Sequence, residues 1–366
     1  MAATAAAPTQ AQLLQQDAML AAALLQNATE YYIQGPAVSG ALGDTLNIPM
    51  PNSGIMLSCD LEVSIPIDIT AAATANPIGA YGAVNNVTVT DWYGNTRTSV
   101  SASRLNSLLG YRMGRPFNSI PASLNNDAAD FIGAQLPTAI GNSTVRFMLH
   151  VPIAQGAGSL VGALLTQTSN GTCSINLQTL ANLISATNPH APYSAGTATY
   201  GNITVTPSFR FLMPVSFAPQ TLPLLSLSTA YAIQEVRNQE ALVVGAQNYT
   251  NFPPARTVYS QILDYVNGNA TNFGSDLTSI AVIVSGATPL KFWTPRRRLI
   301  EQRNLLGADD IPGRYYFPFR SRPINTSIYG SFQLQVTPSL VNAGAYLTIA
   351  SEMTYPMGQP LPGLAA

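Results

Sequence analysis

The sequence predicts an all-β chain of two consecutive β-sandwiches, with short helices in the loops and one helix at the N-terminus. Three observations point there. After Tyr31 the apolar residues fall in short runs broken by Gly, Pro and Asn, without the regular helical intervals of an alternating β/α chain. The chain has 366 residues, more than one core usually fills, since cores stop growing near ~250–300 residues. The segment Pro214 through Pro223, with prolines at 214, 219 and 223, reads as an extended linker between two sets of strands.

The elements follow in chain order. Residues 1–9 are Ala-rich and predict a loose arm. From Thr9 to Gln26 the pattern is helical, with Leu13, Leu14, Leu20, Leu24 and Leu25 among Ala and Gln and no β-branched residue after Thr9. Helices that lie on lipid usually carry Lys or Arg, and this one has only Asp17 as a charge. Its leucines are therefore expected to dock on a neighbouring protein surface. Residues 31–213 hold the first strand set: Ile55–Ile69 (Pro66 marking an edge or bulge), Val84–Trp92, Val145–Ile153, Thr172–Leu177 and Ile203–Phe211. Two short helices are expected between them, at Ser159–Gln167 and near Thr179–Ile184.

The linker 214–223 leads to the second set, residues 224–355: Leu227–Val236, Ala241–Val244, Val258–Val266, Ser279–Val284, Arg314–Phe317, Ile328–Val336 and Ala345–Met353. Val145–Leu177 and Ser279–Phe317 share a layout of strand, turn, short helix, strand. Val-Thr-Pro-Ser occurs at 205–208 and again at 336–339. Both suggest two copies of one sandwich type. The tail 356–366, with Pro360 and Pro362, reads as extended.

Charge is scarce and unevenly placed. Only 9% of residues are charged, against about 25% in an average globular domain. Of sixteen basic residues fifteen are Arg, the choice for buried or intersubunit pairs. The net charge of −1 gives no global field to recruit nucleic acid. Seven acids and no base precede Arg97, whereas Lys291, Arg296, Arg297, Arg298, Arg303, Arg314, Arg320 and Arg322 cluster in Thr288–Pro323. A short helix is expected inside that block. Thr294 serves as N-cap, Pro295 fits the first helical position and Gly307 closes the end, with Leu299 and Leu306 on one face. Successive helical residues splay by roughly 100°, so Arg296, Arg297 and Arg298 share no flat phosphate-binding patch. With Arg303, they are expected to pack loops or subunits.

Motifs for chemistry are missing. Gly156-Ala-Gly-Ser-Leu-Val-Gly162 invites a dinucleotide-binding reading, but no acid occurs from Phe131 through Gln234 to hold a ribose. His150 and His190 have no Cys, Asp or Glu at metal-ligand spacing, so neither metal nor cofactor is expected. No nucleophile elbow is present, and Asp127/Asp130 or Asp309/Asp310 read as loop acids rather than glycosidase carboxylates. Cys59 and Cys173 are too few for a disulfide framework. No run approaches the ~18 apolar residues of a membrane span.

The second half resembles the double jelly-roll major capsid proteins of tectiviruses. The resemblance lies in Leu222-Pro-Leu-Leu-Ser-Leu-Ser-Thr-Ala-Tyr231, the Arg296–Arg298 triplet, Gly313-Arg-Tyr-Tyr316 with Arg320 and Pro323-Ile324. It continues in Tyr329-Gly330 and Val336-Thr-Pro-Ser-Leu-Val-Asn342, and the Gln- and Ala-rich N-terminal helix is similar as well. It covers about Leu222 to Tyr355 and is faint from Tyr31 to Phe211. The resemblance implies two eight-stranded jelly rolls, a non-enzymatic subunit, and homotrimeric pseudo-hexagonal capsomers. These would form the shell of an icosahedral bacteriophage virion around an internal membrane and double-stranded DNA. Implied partners are neighbouring capsomers, vertex and minor capsid proteins, and the membrane through the N-terminal helix, with no direct nucleic-acid contact. Two other readings stand beside it: a phage spike or vertex protein, and a secreted carbohydrate-binding β-sandwich.

Overall fold

The computed structural model describes residues 9–92, 94–114, 130–132, 135–156, 158–166, 173–213, 229–237, 242–249, 255–267, 276–284, 289–307, 310–311, 313–328 and 332–356. The Ala-rich residues 1–8, the proline-rich segment 214–223 and the tail 357–366 lie outside them. Helix α1 (Gln10–Asn27) starts in a capping box: Gln12 N–H donates to Thr9 Oγ1 at 3.4 Å and Thr9 N–H to Gln12 Oε1 at 2.8 Å. Ala21, Leu24 and Leu25 lean on a small cluster that includes Ile55, Leu57, Leu165 and Leu212. The side chains of Leu13, Leu14 and Leu20 lie outside the described ones.

Eight principal strands follow in the first half: β1 (Thr29–Gln34), β2 (Thr45–Pro49), β3 (Ile55–Ala75), β4 (Val84–Thr90), β5 (Thr96–Val100), β6 (Gly141–Pro152), β7 (Ser174–Thr179) and β8 (Ile203–Met213). They pair as β1-β8-β3-β6 and β2-β7-β4-β5. The second half supplies β9 (Thr229–Arg237), β10 (Gln247–Tyr249), β11 (Thr257–Val266), β12 (Leu277–Val284), β13 (Pro289–Trp293), β14 (Arg314–Pro318), β15 (Phe332–Pro338) and β16 (Tyr346–Pro356). These pair as β9-β16-β11-β14 and β10-β15-β12-β13. Each strand of the second half thus takes the place of the strand eight before it. The architecture is a double jelly roll.

Alternation sets each sheet. In β3, Cys59, Leu61, Val63, Ile65, Ile67 and Ile69 point into the first core, while Asp60, Glu62, Ser64 and Pro66 face outward. Pro66 falls in a ladder gap, after the β8 pairing ends at Ser64 and before the added strand Tyr193–Tyr200 pairs from Ile67. The missing donor is therefore never required. A second core gathers Leu263, Tyr265, Ile280, Val282, Tyr315, Phe317, Leu334 and Leu347. The halves meet edge to edge where β5 lies parallel to β9, Ser99 opposite Gln234, so one sheet path runs through both.

Several local expectations are corrected. Ser159–Gln167 is not helical over Ser159–Leu165. Ser159 bridges Gly156, Gly162 sits at φ 82°, and Leu164–Leu165 pairs with β3. Nor is there a helix at Thr179–Ile184: Leu180 N–H donates to Ala83 O and Leu183 O accepts from Tyr193 N–H, so distant backbone replaces helical partners. Leu242–Val244 is no strand, and pairing begins at Gln247. Val-Thr-Pro-Ser falls on β8 and on β15, which are not equivalent strands. The unit that repeats is instead a hairpin followed by a helix. β4 and β5 lead into α2 (Ala102–Met113), and β12 and β13 into α3 (Pro295–Leu306). Helix α2 has no expectation at all. Its interior Gly110 and the stripe Ser103, Arg104, Ser107 blur the apolar period of a helix.

Candidate functional site

Helix α2 closes the first roll and docks on the second. Leu105, Leu108 and Leu109 enter the first core. The opposite stripe, Ser103, Arg104, Ser107 and Tyr111, lies against the sheet β9-β16-β11-β14. There Arg104 donates from Nε to Asp264 Oδ2 at 2.8 Å and from Nη1 to Glu235 Oε1 at 2.7 Å. Arg314 holds Asp264 through two bonds of 2.8 Å and reaches Ser103 and Ser107 with Nη1. Arg104, Asp264 and Arg314 are all buried. Burial opposes the Asp264 charge, but Arg314 and then Arg104 outweigh it and hold the carboxyl well below the usual carboxylate range.

Aromatic and amide groups extend the seam. Tyr111 stacks on Tyr316 with ring centroids 4.2 Å apart and donates to Asp310 at 2.8 Å. Gln302 of α3 donates to Tyr111 Oη at 2.7 Å and accepts from Tyr316 N–H at 3.0 Å. A second ionic group surrounds Glu352, which accepts from Tyr231 and Ser260 and pairs with Arg320. Arg112 of α2 donates to Tyr231 Oη at 3.1 Å. The seam thus joins the two rolls through directional bonds that are buried at Asp264, Arg314 and Gln302.

A small cavity of about 140 Å³ lies in this seam, lined by Arg104, Glu235, Arg237, Tyr346 and His190. His190 Nε2 is buried without a hydrogen bond. Burial first, and then Arg104, lower its pKa to about 4, with Arg314 and Arg237 acting in the same direction and Asp264 against. The unfolded chain takes up that proton near pH 6.5 and the folded chain refuses it until about pH 4. Stability is therefore complete above pH ~6.5 and falls by up to about 3 kcal/mol on the way to pH ~4. Asp264, lowered in the fold, adds a further loss below pH ~4. Urea unfolding at pH 7.5 and 4.5 should show the decline, and His190→Gln should flatten it. An unchanged slope in that variant would refute the assignment.

The basic block is divided by its helix. Arg296, Arg297 and Arg303 are exposed, and only Arg298 is buried. Arg297 pairs with Glu301 at 3.0 Å, and Arg298 donates to Glu301 Oε2 at 2.6 Å with its guanidinium 6.0 Å from the Phe317 ring. The buried stripe is Pro295, Arg298, Gln302 and Leu306. Leu299 does not share it with Leu306 and is 37% exposed, because seven residues over-rotate relative to a straight helix and Arg298 takes the inner place. Sequence reasoning missed Arg104, Arg112, Asp264, Glu235 and Glu352. Their isolated charges inside apolar strands, Asp264 and Glu352 above all, were the available signal.

Catalytic geometry is not assembled among the described residues. Asp60 and His150 lie 2.6 Å apart beside a cavity of about 480 Å³, and Ser58 lines it too, which invites a Ser-His-Asp reading. Ser58 Oγ, however, is buried with no hydrogen bond, so no base contacts it. No described cluster of His, Cys, Asp or Glu suits a metal ion. Cys59 and Cys173 are free and buried, and burial raises the Cys173 thiol to about 11. No described helix is long and apolar enough to cross a membrane.

Comparison with known proteins agrees with this fold. Residues 228–357 match the family model for the P3 major capsid protein C-terminal region. Among curated proteins none matches. The major capsid protein of Sulfolobus Turreted Icosahedral Virus superimposes with a TM-score of 0.66 at 12% identity, covering 90% of this chain and 97% of that one. The major capsid protein P2 of bacteriophage PM2 gives 0.54 at 11%, covering 91% and 100%. PBCV-1 VP54 gives 0.60 at 11%, covering 93% and 97%.

Proposed function

We propose that this chain, a major capsid protein of double jelly-roll type, forms homotrimeric pseudo-hexagonal capsomers that tile the icosahedral shell of a bacteriophage around an internal membrane and double-stranded DNA. The observation that carries the reading is the repeat itself. Two rolls of one strand order, joined by the ionic seam, give each chain two equivalent units, so that three chains would set six around one ring. The domains run as residues 31–213 and 224–355, joined by the linker 214–223, with the arm and helix 1–30 before and the tail 356–366 after.

The subunit does no chemistry. Its surface serves contact with itself, with neighbouring capsomers and with vertex and minor capsid proteins. Arg296, Arg297, Arg298 and Arg303 act in packing and not on DNA. Helix α1 docks through its leucines Leu13, Leu14, Leu20, Leu24 and Leu25 on a neighbouring capsomer or the membrane side. Light scattering on the full chain should report a trimer. Deletion of residues 1–26 should leave that trimer intact and abolish shell assembly. A monomeric full chain, or normal shells from the truncated one, would overturn this reading.

A further inference from the structure

Helices α2 and α3 are equivalent in detail. Each has twelve residues, follows an extended cap residue (Ser101 or Thr294) and ends at a left-handed glycine, Gly114 or Gly307. Aligned on these caps, Ala102, Leu105 and Leu109 coincide with Pro295, Arg298 and Gln302, and all six are buried against their own roll. The other stripe differs. Ser103, Arg104 and Ser107 of α2 are buried under the second roll, whereas their counterparts Arg296, Arg297 and Ile300 are exposed. The Arg297 side chain is 72% exposed.

The receiving surface repeats too. In β11 the run Ser260-Gln-Ile-Leu-Asp264 places Ser260 opposite Pro318 and Asp264 opposite Arg314. In β3 the run Ser58-Cys-Asp-Leu-Glu62 places Ser58 opposite Pro152 and Glu62 opposite Met148. Glu62 therefore stands where Asp264 stands. β11 is buried on both faces from Ser260 to Val266, because α2 covers it, whereas β3 keeps Asp60 and Ser64 partly accessible and the Glu62 side chain is 49% exposed. Ser260 donates to Glu352 at 2.7 Å, but its counterpart Ser58 has no hydrogen bond and borders the cavity of about 480 Å³. Among the described residues one sheet is covered by a helix of this chain, and the equivalent sheet, rich in carboxylates at Glu30, Asp60 and Glu62, stays open at Glu62.

We infer that the exposed face of α3 seats on the outward face of β3 and β6 in a second copy of this chain, Arg297 taking Glu62 as Arg104 takes Asp264. The inference rests on the trimer reading above and names its surface. The contact is heterologous, head to tail, the kind that builds a closed ring where its rotation closes.

Charge exchange tests it. R297E and E62R lie at exposed sites whose present pairs, with Glu301 and Arg146, are worth ~0–1 kcal/mol, so each variant should unfold like wild type. Light scattering over a dilution series should show each single variant dissociating at a concentration at least tenfold higher than wild type. The double variant R297E/E62R should recover the trimer. Thiol crosslinking gives a second readout: a short bismaleimide should link R297C/E62C chains on a denaturing gel and should link neither single cysteine variant. Single variants as trimeric as wild type would overturn the surface and leave the trimer reading standing. A wild-type monomer would overturn both.

Discussion

Asp264→Ala should destabilise the chain by about 3–5 kcal/mol, the usual consequence of removing one partner from a buried ion pair. The size follows from what remains. Arg104 and Arg314 both donate to this carboxylate, both are buried, and without it two guanidinium groups face each other in a buried seam. Glu235 still holds Arg104 through Nη1, which limits the loss on that side. Arg314 keeps only Ser103 and Ser107, neutral acceptors. Asp264→Asn retains the shape and part of the hydrogen bonding and should cost less. Urea titration followed by tryptophan fluorescence reads the effect, since Trp92 and Trp293 lie in different rolls. A midpoint equal to wild type in Asp264→Ala would refute the seam as the element that joins the rolls.

The sequence was legible where one residue type has one use. Thr294, Pro295 and Gly307 bounded α3 to the residue, because each fits only its place at a helix end. Strict alternation located β3 and β8, since their outward faces carry polar residues. Strands buried on both faces gave position but no facing, as in β11 and β16. The resemblance over Leu222–Tyr355 pointed to the fold that the pairing order then displayed in both halves. Helix α2 was passed over although Leu105, Leu108 and Leu109 stand at helical spacing, because it follows the strand Thr96–Val100 at once and Gly110 interrupts its second half. The seam was hidden for another reason. Asp264 meets Arg104 across 160 residues of chain, so its place inside an apolar strand signals a buried acid but nothing local names its partner. The arginine cluster drew notice by density, but density does not show that Arg298 pairs within its own helix while Arg314 reaches across to the other roll.

Gly162→Ala should be among the most damaging single-methyl changes in the chain. At φ 82° an L side chain is disfavoured, which alone costs ~1–2 kcal/mol. The added Cβ would also stand 2.2 Å from Tyr231 Cβ and 2.7 Å from Tyr231 N. Neither atom is the end of a flexible side chain, so β9 or the 153–163 turn must shift. Overpacking of that kind adds ~1–3 kcal/mol. The shift has further reach, because Tyr231 Oη donates to Glu352 and accepts from Arg112, and Gly162 O accepts from Arg97 Nη1 at 2.9 Å. One methyl thus strains the contact of the rolls and two of their arginines together. Gly344→Ala is the internal control, with φ 79° and nothing within 4 Å of the added carbon, so it carries the backbone cost alone. In urea titrations Gly162→Ala should lose about 2 kcal/mol or more beyond Gly344→Ala. Equal losses in the two variants would mean that β9 and the turn yield without resistance, and that the rolls are held by the ionic seam without help from this contact.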